Sequence, residues 1–381
     1  PLPSGRRELV VPVGGGEQRA VALRIPRGYR PDRAWPMIYL LHPSGGNGPS
    51  FLGFIEQALG PKVEEYVVAA PSYYRQTGLD APAPFTTDHP SILEAVRRTA
   101  HIDADRSYVV GYSLGGYATW AVALLHGDLV GGAVAIGSVF TVPPDGDGLW
   151  KDLLPNFRHV PTMHLWGAKD TVPVTGFGGF PRTIGVMSEI NERFRLLTRG
   201  ISLPQLQDVR VPNKGHGGLQ PPTAAFHAIL AGRRVHAPKA VDHTFRHVFQ
   251  GSTYWLEARE WVGEHWGPGF PNIVPKRGET QIQAKGRVIR ERLARLQGKV
   301  HGQTISITRR HVGAMVVWFP EGLIDWANPV RIEVDGKLAF EGQLIPSLDF
   351  ALAEAQRTYD FDRLRWAGVA IDRAGVGVAM E

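Results

Sequence analysis

The stretch VVGYSLGGYAT, residues 109–119, sets one serine between glycines two positions to either side, after a short apolar run and before an alanine-containing segment. Gly111-Tyr112-Ser113-Leu114-Gly115 satisfies G-x-S-x-G, whose glycines permit a strand-to-helix turn tight enough to lift the serine hydroxyl to its apex. The flanks fit that reading. DRSYVV (105–110) supplies a strand, and GGYATWAVALL (115–125) supplies a helix with small residues where it must pack closely. The N-terminus of that helix would aim backbone N–H groups and positive dipole potential at any negative charge developing beside Ser113. The plain alternative is a polar residue in a glycine-rich corner, which explains neither flank.

Further short apolar runs lie on both sides: MIYLL (37–41), YVVAA (66–70), AVAI (133–136) and TMHLW (162–166). They lack alternation, as expected of strands covered by helices on both faces. Between them lie helix-like segments at 91–100, 115–125, 184–197 and 222–230. Strand and helix alternating at this pitch predict an α/β, doubly wound, mostly parallel sheet. Ahead of it, residues 6–26 read as an antiparallel hairpin around Gly14-Gly15-Gly16. In such sheets ligands sit beyond the carboxyl ends of the strands, so the loops after Leu41, Ala70, Val110, Ile136 and Trp166 are the ones to inspect.

Beyond residue 240 the pattern changes. STYWLEAREWV (252–262), TQIQAKGRV (280–288), QTISITRR (303–310), AMVVWFP (314–320), VRIEVDGKLAFEGQL (330–344) and WAGVAIDR (366–373) read as strands, with Asp335-Gly336 as a hairpin signal and one helix at 347–357. Two domains are expected: a catalytic domain over 1–240 and a small β-rich, sandwich-like accessory domain over 241–381. The second holds Trp255, Trp261, Trp266, Trp318, Trp326 and Trp366. Buried, they are ordinary core; exposed, they could stack on carbohydrate or an aromatic polymer.

A serine hydroxyl needs a base, and the base an orienting carboxylate. HLWGAKDTVPV (164–174) ends a strand with Gly167 and presents Asp170; VPNKGHGGL (211–219) follows a strand expected at 207–211 and presents His216 between glycines. On these residues and in this chain order, residues 36–235 resemble an α/β-hydrolase-fold serine esterase, similar to the branch of poly(3-hydroxybutyrate) depolymerases, feruloyl esterases and prolyl-oligopeptidase-like hydrolases. The resemblance covers half the chain. It implies Ser113 as nucleophile, His216 as general base and then acid, Asp170 as the partner of His216, and two-step acyl transfer on an ester, small or polymeric, without metal or organic cofactor. It also implies that His42 is structural. Asp145, Asp147, Asp152 and Asp208 do not follow the strand-Gly-x-x-Asp pattern and are expected on the surface or in a cap.

Relatives carry His-Gly-Gly or His-Gly-x in the loop after the first central strand; here LLHPSGGNG (40–48) has Pro43, which has no N–H to donate. The amides expected to hold an oxyanion are therefore Leu114 and Ser44, with Gly45 as the substitute. Tyr73, Tyr74 and Phe140 follow strands and are candidates for a substrate wall.

Composition excludes several classes. At 381 residues with 43% hydrophobic and 20% charged side chains, the chain describes folded domains rather than disorder. No apolar run is long enough for a membrane-spanning helix. The net charge of +6 is spread; its densest basic stretch, GRVIRERLARLQGK (286–299), reads as a solvated amphipathic face, so no nucleic-acid partner is expected. Cysteine is absent, and HTFRH (243–247) has i, i+4 histidines without the glutamate of a zinc-protease helix, so no metal is expected. The chain starts Pro1-Leu2-Pro3 without an initiator Met, which suits an exported, processed protein and a trimmed chain equally; the compartment stays open, with export slightly favoured over the cytoplasm. Two rivals keep different readings of the same residues: a prolyl-oligopeptidase-like peptidase, and a hydrolase-fold binding module without activity, for which Pro43 is the argument.

Overall fold

The computed structural model describes residues 2–73, 83–140, 153–175, 183–199, 201–264 and 274–380. The chain divides into two compact units, Pro1–Gly146 with Phe157–Arg234, and Asp147–Asn156 with Val235–Glu381.

The first unit is built on one eight-stranded sheet. Its strands are β1 (Gly5–Pro12), β2 (Gln18–Ile25), β3 (Trp35–Leu41), β4 (Val67–Pro71), β5 (Ile102–Tyr112), β6 (Gly132–Ile136), β7 (Thr162–Gly167) and β8 (Leu206–Val211). They lie in the order β1-β2-β4-β3-β5-β6-β7-β8. β1 pairs antiparallel with β2 and β2 with β4, while β4 through β8 run parallel. The helices are α1 (Gly48–Leu59), α2 (Ala83–Thr99), α3 (Leu114–Leu125), α4 (Met187–Thr198) and α5 (Thr223–Leu230).

Alternate strand residues point to opposite faces, and both faces are covered. Ile38, Leu40, Val110, Val134, Ile136 and Leu165 share an apolar core with Leu52 and Ile55 of α1 and Phe226 and Ile229 of α5. The intervening Tyr39 places its hydroxyl 2.9 Å from His89 Nδ1 on α2, and His164 meets Trp120 of α3 edge-on at 5.5 Å. The sheet is therefore doubly wound, as its unbroken apolar strands require.

Helix α1 was not expected. Its start lies in a glycine-rich stretch, yet Asn47 caps it: Asn47 Oδ1 accepts from Ser50 N–H at 2.9 Å, and Ser50 Oγ accepts from Asn47 N–H at 3.1 Å. The helix expected over 184–197 starts three residues later, because Thr183–Val186 pairs as a strand with Pro173–Thr175.

Burial, helped by the nearby charge of His126, pushes His89 down to about 3. The unfolded chain would protonate this residue near its ordinary 6.5, so it binds the extra proton between pH 6.5 and 3, and stability falls as pH drops through that window. The slope from this one group is at most about 1.4 kcal/mol per pH unit. Melting curves from pH 7 to pH 4.5 are expected to show it, and His89→Phe is expected to flatten it; an equal slope in the variant assigns the acid sensitivity elsewhere.

The second unit has two five-stranded sheets. One runs 240–245, 294–301, 304–310, 330–334, 337–342; the other runs 252–253, 256–258, 315–320, 365–371, 377–380. Phe245, Leu296 and Ile332 from the first and Leu256, Val317 and Val369 from the second join one core, which makes the unit sandwich-like. Asp335 and Gly336, with φ of 52° and 77°, form the expected hairpin turn between Val334 and Lys337. Asn156 belongs here because its side-chain amide imitates a strand partner, donating to Thr244 O at 2.7 Å and accepting from Thr244 N–H at 2.9 Å.

One expectation for this unit is corrected, and two stretches left open above take a definite place. TQIQAKGRV is not a strand: Gln281–Arg292 is a helix capped by Thr280 and Gln283, and only the end of the basic stretch continues as a strand, 294–301. HTFRH is not helical, since Ala240–Phe245 is a strand; buried His243 places Nε2 2.7 Å from Gln250 O. Among the described tryptophans none is exposed: Trp255 and Trp318 are fully buried, and Trp261, Trp326 and Trp366 are half-buried. Trp266 lies outside the described residues. Among the described residues no helix is long and apolar enough to cross a membrane.

Candidate active site

Every candidate loop leaves the carboxyl end of a parallel strand. Ser113 follows β5 with φ 54° and ψ −116°, a conformation that costs a non-glycine residue roughly 1–3 kcal/mol and persists only when its surroundings impose it. They do. Ser113 N–H donates to Ile136 O at 2.8 Å, and Tyr117 N–H donates to Ser113 O at 3.1 Å as α3 begins. A Cβ on Gly111 would lie 2.1 Å from Gly115 O, and one on Gly115 would lie 2.0 Å from Leu41 O. The glycines are thus a packing requirement of α3 against β3 and β5 as well as a turn signal.

Gly167 does the same for the next two loops: its missing Cβ would sit 2.2 Å from Gly215 O. The loops after β7 and β8 are joined there, with Lys169 N–H donating to Lys214 O at 2.8 Å. Asp170 is wholly buried. Its Oδ1 accepts from Val172 N–H at 3.0 Å, and its Oδ2 lies 2.8 Å from His216 Nδ1. His216 Nε2 lies 2.9 Å from Ser113 Oγ. A carboxylate beside Nδ1 fixes the proton on that nitrogen and leaves Nε2 as the acceptor for the serine hydroxyl. The imidazole is about three-quarters shielded, with a side-chain exposure of 25%.

Asp208 is not a surface or cap residue. It accepts from Trp166 Nε1 at 2.9 Å and lies 3.1 Å from His164 Nδ1. Burial pushes its carboxyl up, but the His164 hydrogen bond and charge, with Trp166 and Arg195, together hold it below the usual range. Its partner is therefore a different histidine. Asp145, Asp147 and Asp152 lie outside the described residues.

The 43–46 loop is a tight turn, with Gly46 N–H donating to Pro43 O at 3.1 Å and Gly45 at φ 76°. Its central amides, Ser44 and Gly45, donate to no other group among the described residues. A Cβ on Gly115 would meet the carbonyls of both Leu41 and His42, so this loop starts beside the residue that follows Leu114. His42 is indeed held within its loop: Tyr73 N–H donates to Nε2 at 3.1 Å, so Nδ1 carries the proton and donates to Pro43 O at 2.8 Å. Burial pushes the His42 pKa down, which agrees with that neutral ring.

The expected substrate wall is corrected for two rings. Tyr73 is buried, stacks on His42 at 4.0 Å and donates its hydroxyl to His42 O at 2.7 Å, so it braces the turn instead. Phe140 is buried between Phe194, stacked at 5.1 Å, and Trp120, edge-on at 4.9 Å. Tyr74 lies outside the described residues. Among the described residues no three His, Asp or Glu side chains converge as a metal site.

No protein-family model and no curated protein matches the chain. Solved structures do superpose on part of it. A thermostable esterase is 18% identical over 60% of this chain and 63% of its own, with a TM-score of 0.43. A ferulic acid esterase is 17% identical over 60% of this chain and 96% of its own, with a TM-score of 0.44. LpqC, a poly(3-hydroxybutyrate) depolymerase from Bordetella parapertussis, is 15% identical over 59% of this chain and 95% of its own, also at 0.44. With an antiparallel start, six parallel strands, the β4-β3-β5 crossover and the serine elbow after β5, the first unit has the α/β-hydrolase fold.

Proposed function

We propose that the protein is a serine carboxylic ester hydrolase that works through an acyl-enzyme. The observation that carries this reading is the chain Ser113 Oγ, His216 Nε2, His216 Nδ1, Asp170 Oδ2, with links of 2.9 and 2.8 Å. Ser113 Oγ attacks the ester carbonyl while its proton passes to His216 Nε2; buried Asp170 steadies the imidazolium. The oxyanion rests on Leu114 N–H and an amide of the 43–46 turn. Collapse breaks the carbonyl–alkoxy bond, and the alcohol leaves with the proton from His216. Water, deprotonated by the same nitrogen, then attacks the acyl-enzyme and releases the acid.

The folded protein is expected to hydrolyse p-nitrophenyl acetate or butyrate, and to cleave matched proline-linked amides far more slowly. Absence of ester turnover overturns the proposal, and faster amide cleavage turns it toward a peptidase. An inactive module is disfavoured by the turn, which offers amides despite Pro43. Proline suits the second position of such a turn, so Ser44→Pro removes one N–H with little change of shape. If Ser44 is the donor, kcat drops about 10²- to 10³-fold. An unchanged kcat moves that role to Gly45.

A further inference from the structure

We infer that Tyr112 is a positioning residue for His216, tying the loop that carries the base to the residue next to the nucleophile. This rests on the ester-hydrolase reading above. The loop 213–218, NKGHGG, has three glycines in six residues and no regular structure, so it cannot hold an imidazole in place by its own stiffness. One end is fixed by the Lys169–Lys214 backbone bond at 2.8 Å. The other end is fixed by Tyr112: its hydroxyl donates to the His216 carbonyl oxygen and accepts from Leu219 N–H at 3.4 Å.

The ring is itself held. It meets the His216 imidazole edge-on at 6.0 Å, and Phe54 of α1 meets it edge-on at 5.8 Å. Leu219, just beyond the loop, is buried in the apolar core beside α1 and α5. Burial pushes the Tyr112 phenol pKa up, ahead of the opposing Leu219 N–H bond, so the hydroxyl stays protonated and able to donate. Because Tyr112 and Ser113 are consecutive, one hydroxyl sets the base against the nucleophile.

Tyr112→Phe keeps the ring and removes the donor. Misplacing a catalytic group by about 1 Å costs on the order of 10²-fold, so kcat for p-nitrophenyl butyrate is expected to fall about 10- to 100-fold with KM within about twofold. The downfield proton resonance of the His216 Nδ1–H to Asp170 bond is expected to broaden by faster solvent exchange, which a merely structural hydroxyl would not cause. A folded Tyr112→Phe with unchanged kcat and an unchanged resonance overturns the inference. Should that variant melt, Phe54→Leu keeps the hydroxyl but loosens the ring; a severalfold loss of kcat supports the inference and no loss counts against it. Ser113→Ala in parallel separates the failures. If it retains turnover, the ester-hydrolase reading fails; if it is inactive while Tyr112→Phe runs at full rate, only the positioning role fails.

Discussion

Ser113→Ala is expected to lower kcat for p-nitrophenyl butyrate by roughly 10⁴- to 10⁶-fold, leaving a residue of rate from substrate binding and backbone amides. The size follows from the proposed mechanism. Without Oγ no acyl-enzyme forms, and His216 and Asp170 have nothing to activate but water. KM is expected to change little, since the hydroxyl contributes to the transition state rather than to binding. The elbow should keep its shape, because alanine at φ 54° has no more freedom than serine and the imposing contacts are backbone ones. A melting temperature equal to wild type, or slightly different, is therefore expected beside the lost rate. Equal turnover by both proteins would favour a non-catalytic reading of the site.

The second large effect is on folding. In Gly115→Ala the new Cβ would lie 2.0 Å from Leu41 O and 2.9 Å from His42 O, both backbone atoms. No rotamer change relieves a clash with backbone, so α3 must lift from β3. Overpacking commonly costs about 1–3 kcal/mol when side chains can adjust, and here the cost is expected at or above the upper end. At about 2–4 °C per kcal/mol for a unit of this size, the melting temperature should fall by about 10 °C or the variant should be recovered only as aggregate. Activity should fall with it, because the same shift moves Leu114 and the 43–46 turn apart. A variant with wild-type melting and full kcat would show that the elbow is looser than its contacts imply.

What the sequence made legible was local chemistry repeated at a fold-specific pitch. The central parallel strands could be read because they are unbroken apolar runs, and β5 through α3 because the glycines of G-x-S-x-G stand between an apolar run and a helix-like segment. Asp170 and His216 were reached through strand ends followed by glycine, and Gly167 packs against Gly215 for the reason that pattern exists. The misses share a different cause. The alternation in TQIQAKGRV imitates a strand, and the Thr280–Gln283 cap that makes it a helix was outweighed by that period. Helix α1 was hidden by glycines that end one loop and start the helix. Asp208 looked superficial because its partner, His164, lies on a neighbouring strand 44 positions earlier in the chain. Tyr73 looked like a wall because nothing local shows that its hydroxyl and amide are both spent on His42. Burial and pairing between distant segments decide these roles, and no short window of residues encodes them.

We propose that Ser113 is a nucleophile made reactive by His216 and Asp170. It is tested most directly by treating the folded protein with a serine-directed phosphonate ester and mapping the adduct by peptide mass spectrometry, with ester turnover followed on the same sample. One phosphonyl group per chain is expected, on the peptide containing Ser113, appearing in step with the loss of activity and absent from His216→Ala. Full turnover after complete exposure to the reagent, or a stoichiometric adduct on another residue, would contradict it.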